Sequence, residues 1–211
     1  MKVVIYHAET KRAEFKHRPG MYKDLTLLLK KNVNSFGCPL VHLTTSGHEG
    51  WGDENYFYDL NPDLINLNRE KCYIDFLKNT ANDQDTYFFF EPDWRINSMF
   101  PPLTGDVDFL LRNDSAPLHP GWRLAKRSAL PIFEEILECY DMDPTQQVWG
   151  GDSTALKNLY DRMGQPTGPI VYKGCRVGFR PYKPYGMSKS KFTQQFKADH
   201  KQELLDRYGK E

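Results

Sequence analysis

Thr86-Tyr-Phe-Phe-Phe-Glu-Pro-Asp-Trp-Arg95 is an aromatic run that stops abruptly at two carboxylates placed one residue apart. It reads as an apolar strand, with Glu91 and Asp93 where a sheet edge would meet ligand. On an extended backbone, residues i and i+2 point to the same side. The two carboxylates can then share one hard divalent cation whose shell is completed by water and phosphate oxygens. The plainer alternative is a strand followed by an ordinary polar turn, its backbone fixed by Pro92.

Outward from that strand, helical and extended patterns alternate. Upstream, Asn61-Pro62 opens a helix predicted to reach Asn79, with Leu64, Leu67, Tyr73 and Phe76 among its apolar contacts. Before it come a buried first strand over 2–6, a helix over 22–32 carrying Leu25, Leu28 and Leu29 on one face, and a second strand over 39–44. The polar, Gly-rich stretch 45–61 is long for a structureless connection and is a candidate functional loop. Downstream, 106–111 reads as a strand, 128–140 as a helix, 152–163 as a helix with an Asp cap and a closing Gly164, and 169–172 as a last short strand. Residues 188–208 are predicted to form a polar helix whose sparse apolar stripe is Phe192, Phe196, Leu204 and Leu205. The alternation predicts an α/β fold, a sheet covered by helices on both faces. It is divided here into one domain over 1–187 and a C-terminal polar helix over 188–211.

Composition narrows the function classes. The 211 residues allow one large domain, or a domain with an appendage. Because 28 basic side chains balance 28 acidic ones, no whole-molecule field recruits DNA or an anionic membrane, and any basic function must be local. No apolar run approaches the ~20 residues that span a bilayer, and no signal-like segment precedes the first strand, so a cytoplasmic location is expected. Cys38, Cys72, Cys139 and Cys175 are far apart and form no CxxC pair, which predicts buried thiols rather than a zinc ribbon or disulfide scaffold. The chain has no P-loop or GxGxxG, and Ser46 and Ser153 lack a nucleophile-elbow context. These features argue against a nucleotide triphosphatase, a dinucleotide enzyme and a serine hydrolase.

Three polar clusters fall at the predicted carboxyl ends of strands, where open α/β sheets bind ligands. Tyr6-His7 follows the first strand and Glu91/Asp93 the aromatic one. Gly150-Gly151-Asp152 is the third: two glycines let backbone approach a ligand closely, and Asp152 can cap the following helix, face the ligand, or both. A fourth cluster, 172–191, holds Lys173, Arg176, Arg180, Lys183, Lys189 and Lys191 without an Asp or Glu. Lys173-Gly174 could place an ammonium and a backbone N–H on a diphosphate. Phe179, Tyr182 and Tyr185 interleave the charges, which also suits a nucleic-acid backbone or stacked base. Beyond Lys183 a solvated basic loop is the simpler reading. His42 and His48 flank a Thr-Thr-Ser-Gly turn without the partner spacing of a metal site.

In this order the segments resemble the GT-A-type glycosyltransferases, which bind a nucleotide-sugar donor on a Rossmann-like, mixed but mostly parallel sheet. FFFEPDWRI resembles a variant DxD motif, and His119-Pro-Gly-Trp-Arg-Leu-Ala-Lys-Arg127 the acceptor-side turn before a helix. WGGDSTALKNLY, residues 149–160, resembles the region that supplies a carboxylate near the anomeric carbon. Val171-Tyr-Lys-Gly174 resembles a segment that closes over the diphosphate in one branch. Two departures stand out. Glu91 occupies the first DxD position, and Val171 the place of that branch's metal-binding His. Either the metal has fewer protein ligands, or Lys173 and Arg176 replace part of its charge, or no metal is used.

The resemblance implies transfer of a sugar from a nucleotide diphosphate sugar to a hydroxyl acceptor. It implies donor binding by Tyr6, His7, Arg69, Lys173, Gly174 and Arg176, with Mn²⁺ or Mg²⁺ held by Glu91 and Asp93. It further implies Asp152 as the catalytic carboxylate, with Trp51, His119 and Trp122 lining the acceptor side. The acceptor stays open between a modified DNA base, a protein side chain and a free saccharide, the basic run 172–191 favouring the first, and no membrane partner is expected. Two other readings stay open: a sugar-phosphate nucleotidyltransferase, which uses paired carboxylates at an α-phosphate, and a non-catalytic nucleotide- or nucleic-acid-binding module of the same fold.

Overall fold

A computed structural model describes residues 1–8, 20–61, 64–98, 103, 107–113, 122–140, 151–181, 193–195 and 200–209. The chain divides into two compact units, the first from Met1–Asp63, Phe90–Phe100 and Pro184–Glu211, the second from Leu64–Phe89 and Pro101–Lys183.

In the first unit, Val3, Val4 and Ile5 are fully buried in strand β1 (Lys2–Tyr6). Consecutive β-branched residues with no exposed face are what a parallel strand covered on both sides requires. Helix α1 (Met21–Asn34) carries β1 over to β2 (Leu40–Thr45), and the two strands pair in parallel from Val3↔Leu40 to Tyr6↔Leu43. Its buried stripe is Met21, Leu25, Leu29 and Val33, a repeat of four that keeps one face inward.

The stretch read as a candidate loop, 45–61, contains instead a strand, β3 (Glu54–Tyr58), parallel to β2. It is half exposed along its length, and Phe57 stands 54% exposed; its short aromatic run Tyr56-Phe57-Tyr58 was passed over within a polar, Gly-rich stretch. The predicted C-terminal helix is also corrected. Strand β10 (Thr193–Gln195) pairs antiparallel with β5 (Trp94–Ile96), and helix α5 spans only His200–Tyr208. Leu204 of α5 is buried against Met21 and Leu25, with Leu205 and Tyr208 packed alongside. Phe192 and Phe196 lie outside the described residues.

The second unit holds α2 (Ile65–Asn79), β4 (Tyr87–Phe90, its last residue counted with the first unit), β6 (Phe109–Asn113) and β7 (Trp122–Ala125). A short 3-10 turn, Arg127–Ala129, leads into α3 (Leu130–Glu138), followed by α4 (Gly151–Arg162), β8 (Ile170–Tyr172) and β9 (Cys175–Pro181). Residues 122–125, read as part of an acceptor-side turn, are a strand, and the basic run from Cys175 begins as one. The strand order is β3-β2-β1-β4-β7-β6-β9-β8, with β10-β5 as a separate pair. β6 is parallel to β9 and antiparallel to β7, and β8 is antiparallel to β9. The fold is thus α/β around a mixed, mostly parallel sheet. The four cysteines are free and buried, as expected. Among the described residues no helix is long and apolar enough to cross a membrane.

The aromatic strand organises the second unit's core by its period of two. Tyr87 and Phe89 share a face. Phe89 meets Tyr73 at 4.6 Å and Phe133 at 4.8 Å, Tyr87 meets Phe76 at 5.3 Å, and Phe109 meets Phe133 at 5.2 Å. Tyr73 and Phe76, three apart on α2, present adjacent rings to that face. Such tilted and edge-on pairs each add about 0.5–1.5 kcal/mol to their area burial. Phe89→Ala is expected to cost about 3–5 kcal/mol of unfolding free energy, measured by urea denaturation. Phe57→Ala, on the exposed edge, should change stability by less than about 0.5 kcal/mol.

Candidate functional site

The acidic motif is built by a reversal of the chain. Trp94 N–H donates to Glu91 O at 3.3 Å, closing a turn over Glu91-Pro92-Asp93 that sends β4 into β5. The extended i, i+2 arrangement expected from the sequence is therefore replaced by a turn, the outcome Pro92 favours. Glu91 is half-buried and Asp93 buried. A buried carboxylate needs a counter-charge, and α5 supplies it. Lys201 Nζ stands 3.6 Å from Asp93 Oδ2, donates to Tyr22 Oη at 2.6 Å, and lies 4.7 Å from the Tyr22 ring centre. Burial alone would depress the Lys201 ammonium, but Asp93, Tyr22 and Glu91 outweigh it and hold its pKa above the ordinary lysine value. Tyr22 is raised by burial, with Lys201 opposing. The helix is pinned again where the Arg95 guanidinium lies 3.6 Å over the Tyr208 ring.

Beside this turn, from the carboxyl end of β1 to the middle of β2, aromatic rings lie face to face. His7 stacks on Tyr22 at 4.1 Å and faces Trp51 at 6.1 Å, and Trp51 lies 5.2 Å from His42. His7 N–H donates to Leu43 O, extending the β1–β2 register by one residue. Trp51 and His7 are each 7% exposed, so both rings are packed into this stack. His42 has both ring nitrogens committed to backbone: Nδ1 accepts from Trp51 N–H at 3.1 Å, leaving Nε2–H to donate to His7 O at 3.2 Å. Burial pushes its pKa down to about 4, against the opposing bond to His7.

A divalent cation at Asp93 fits poorly with what surrounds it. Among the described residues no three His, Cys, Asp or Glu side chains gather as a metal cage. Mg²⁺ can manage with one or two carboxylates plus phosphates, so the position of Lys201 matters more. A doubly charged ion about 4 Å from the ammonium would meet a repulsion on the order of 8 kcal/mol at an effective dielectric near 20.

The second unit contains a buried chain of charges. Arg69, the expected donor ligand, and Asp152, the expected catalytic carboxylate, are brought together: Arg69 Nη2 donates to Asp152 Oδ2 at 3.0 Å. Arg69 Nε reaches Glu70 Oε1 at 3.3 Å, and Arg123 clamps Glu70 with two bonds of 2.5 and 2.7 Å. Burial would raise the Glu70 pKa, yet Arg123 and Arg69 hold the carboxyl below its usual range. Tyr140 shares the cluster, its phenol raised well above the usual range, first by burial and then by Glu70, so it remains a neutral hydroxyl. Asp152 lies in the first turn of α4, where Oδ1 accepts from Ser153 N–H, rather than at the N-cap. Glu70 and Arg123 were missed by the sequence reading. The signal was present: Glu70 follows Leu67 by three on the buried face of α2, and Arg123 precedes Leu124-Ala125 in an otherwise apolar strand.

Lys173 and Gly174 form the two-residue turn between Tyr172 and Cys175 of the β8–β9 hairpin, both with positive φ (48° and 77°). That is the backbone a type I′ turn demands. The Lys173 ammonium pairs with Glu135, which also binds Arg162 at 2.7 Å. Its charge thus serves a hairpin rather than standing open to a diphosphate. Arg176 is exposed on β9 and its N–H donates to Asp108 Oδ2 at 3.0 Å. Tyr6 is buried in β1. Trp122 opens β7, while His119, Gly150, Lys183, Lys189 and Lys191 lie outside the described residues.

No protein-family model matches the chain, and no curated protein matches it in sequence. Among solved structures, a glycosyltransferase involved in the glycosylation of the major capsid of PBCV-1 aligns with a TM-score of 0.59 at 10% identity, covering 100% of both chains. A nucleoside-diphosphate-sugar pyrophosphorylase from Vibrio cholerae RC9 aligns at 0.49 and 13% identity, over 85% of this chain and 91% of that one. The first likeness fixes the fold, which is of the GT-A type.

Two outcomes are expected from this chemistry. The unfolded chain takes up the His42 proton near pH 6.5 and the folded one only near pH 4, so the imidazole's contribution to stability is complete above pH 6.5 and is lost as pH falls through that window. The loss should be on the order of 3 kcal/mol, and His42→Gln should remove that part of the acid slope in urea denaturation. Glu70→Gln, which strips the buried arginines of their shared counter-ion, should destabilise by about 3–5 kcal/mol in the same assay at pH 7.

Proposed function

We propose that this chain is a glycosyltransferase that moves a sugar from a nucleotide diphosphate sugar to a hydroxyl acceptor. The observation that carries the proposal is a juxtaposition in the first unit. The stacked His7 and Tyr22 rings adjoin, through Lys201, the Glu91-Pro92-Asp93 turn, on a fold shared over its full length with a glycosyltransferase. A nucleotide needs such a pairing, an aromatic face for the base and a charged group beside it for the diphosphate, at the carboxyl ends of the strands.

In this reading the buried Tyr6 and His7 back the wall on which the donor's base and ribose would lie, and the acidic turn with Lys201 meets its diphosphate. The bond between the anomeric carbon and the diphosphate oxygen breaks as the acceptor oxygen bonds to that carbon. The acceptor's hydroxyl proton is surrendered and the nucleoside diphosphate leaves. Asp152 is the proposed catalytic carboxylate, either taking that proton or, where the departing diphosphate oxygen takes it, facing the positive anomeric centre, with Arg69 fixing its orientation. The Lys173-Gly174 hairpin is given a structural role, since Lys173 is paired with Glu135. A modified DNA base was favoured as acceptor from the basic run 172–191. Support for it weakens where Lys173 is so committed, and the proposal rests on a hydroxyl group whatever its carrier.

Thermal shift against UDP, GDP, CDP, ADP and their sugars should single out one nucleotide. With that donor, Asp152→Asn should keep binding within about twofold while turnover falls by roughly 10²–10⁴-fold. Loss of binding and turnover together would make Asp152 a purely structural partner of Arg69. Pyrophosphate release from a nucleoside triphosphate and a sugar phosphate would point instead to nucleotidyl transfer.

A further inference from the structure

We propose that Lys201 is the resident cation of the acidic turn, filling at Asp93 the position a divalent metal would take, so that nucleoside diphosphate binding is independent of Mn²⁺ and Mg²⁺. The inference deepens the donor reading above and rests on it for the nucleotide, though not for the metal. Its basis is geometric. The ammonium contacts Asp93 and Tyr22 at once, and Tyr22 in turn stacks on His7, so one cation touches both the acidic turn and the aromatic wall.

The position is held from several sides. Leu204 of the same helix is buried against Met21 and Leu25, Arg95 covers Tyr208, and β10 pairs with β5 directly after the acidic turn. An ammonium carried on a helix fixed at two places, with β10 paired to β5 earlier in the chain, is not a mobile counter-ion. For a metal to bind Asp93, either that helix must release or two cations must share one carboxylate. Of an ammonium's three donors, one is used by Tyr22 and one faces Asp93, and the third is the one this proposal assigns to a phosphate oxygen. Nothing in this arrangement was legible from the acidic motif alone, because its cation comes from more than a hundred residues further along the chain.

The test is Mn²⁺ binding followed by electron paramagnetic resonance, with and without the nucleoside diphosphate selected by thermal shift. Wild-type protein should leave the free Mn²⁺ signal unchanged in either condition, and its nucleotide affinity should be the same within twofold in EDTA and in Mn²⁺. Lys201→Gln should acquire Mn²⁺ affinity at least tenfold above wild type, and Lys201→Gln with Asp93→Asn should lose it again. Lys201→Arg, which keeps the charge, should behave as wild type and controls for damage to the helix. Mn²⁺ binding by the wild type that Asp93→Asn abolishes would overturn the inference, as would a Lys201→Gln protein that folds normally, by near-ultraviolet circular dichroism, yet gains no Mn²⁺. Should no nucleoside diphosphate bind at all, the donor reading and the nucleotide half of the inference fall together, while the metal arm still decides whether Lys201 excludes the ion.

Discussion

An ionised group cannot be buried alone, and both units of this protein are arranged around that requirement. In the first, Asp93 is sealed beneath the end of β4 and α5 is brought in to answer it. In the second, Glu70 is fully buried on α2 and is answered by Arg123 from β7 and Arg69 from its own helix. The pairing sets which strand lies under which helix, since a one-residue slip in β7 would turn Arg123 to the opposite face of the sheet. The apolar core tolerates substitution by volume, whereas these contacts specify particular partners.

Much of the fold was legible where burial was uniform. Val3-Val4-Ile5 and Tyr87–Phe90 are apolar on both faces, a pattern a covered strand shows and a loop does not. Of the five described strands that went unseen, three fail this test for separate reasons, while β5 and β7 are largely buried but only three and four residues long. β3 lies at the edge of the sheet with no residue fully buried, and its aromatic triplet Tyr56-Phe57-Tyr58 stands inside the polar, Gly-rich stretch 45–61 that was read as a loop. β9 alternates Arg176 with Val177 inside a basic run whose charge drew attention away from its period. β10 is three residues long, and its place is given by pairing with β5 rather than by its own composition. The polar helix predicted for 188–208 treated Leu204 and Leu205 as part of a long stripe, whereas they belong to a helix of nine residues.

The candidate site was legible as chemistry more than as geometry. FFFEPDWRI correctly marks a strand ending at a carboxylate pair, but Pro92 turns the backbone and buries Asp93. Arg69 and Asp152 were singled out for separate roles and prove to be a bonded pair. Their neighbours Glu70 and Arg123 could be suspected only as charges out of place on apolar faces. Lys201 carried no local mark at all, because its significance depends on a partner across the chain.

The first unit draws on the beginning, the middle and the end of the chain, while most of the second lies between. During synthesis from the N-terminus, α2 through β9 are in place before β10 and α5 emerge. β5 and the face of α1 must therefore wait, uncovered, for their last partners. The residues that seal the acidic turn follow the elements of the second unit out of the ribosome, so this part of the protein matures after that unit has been made.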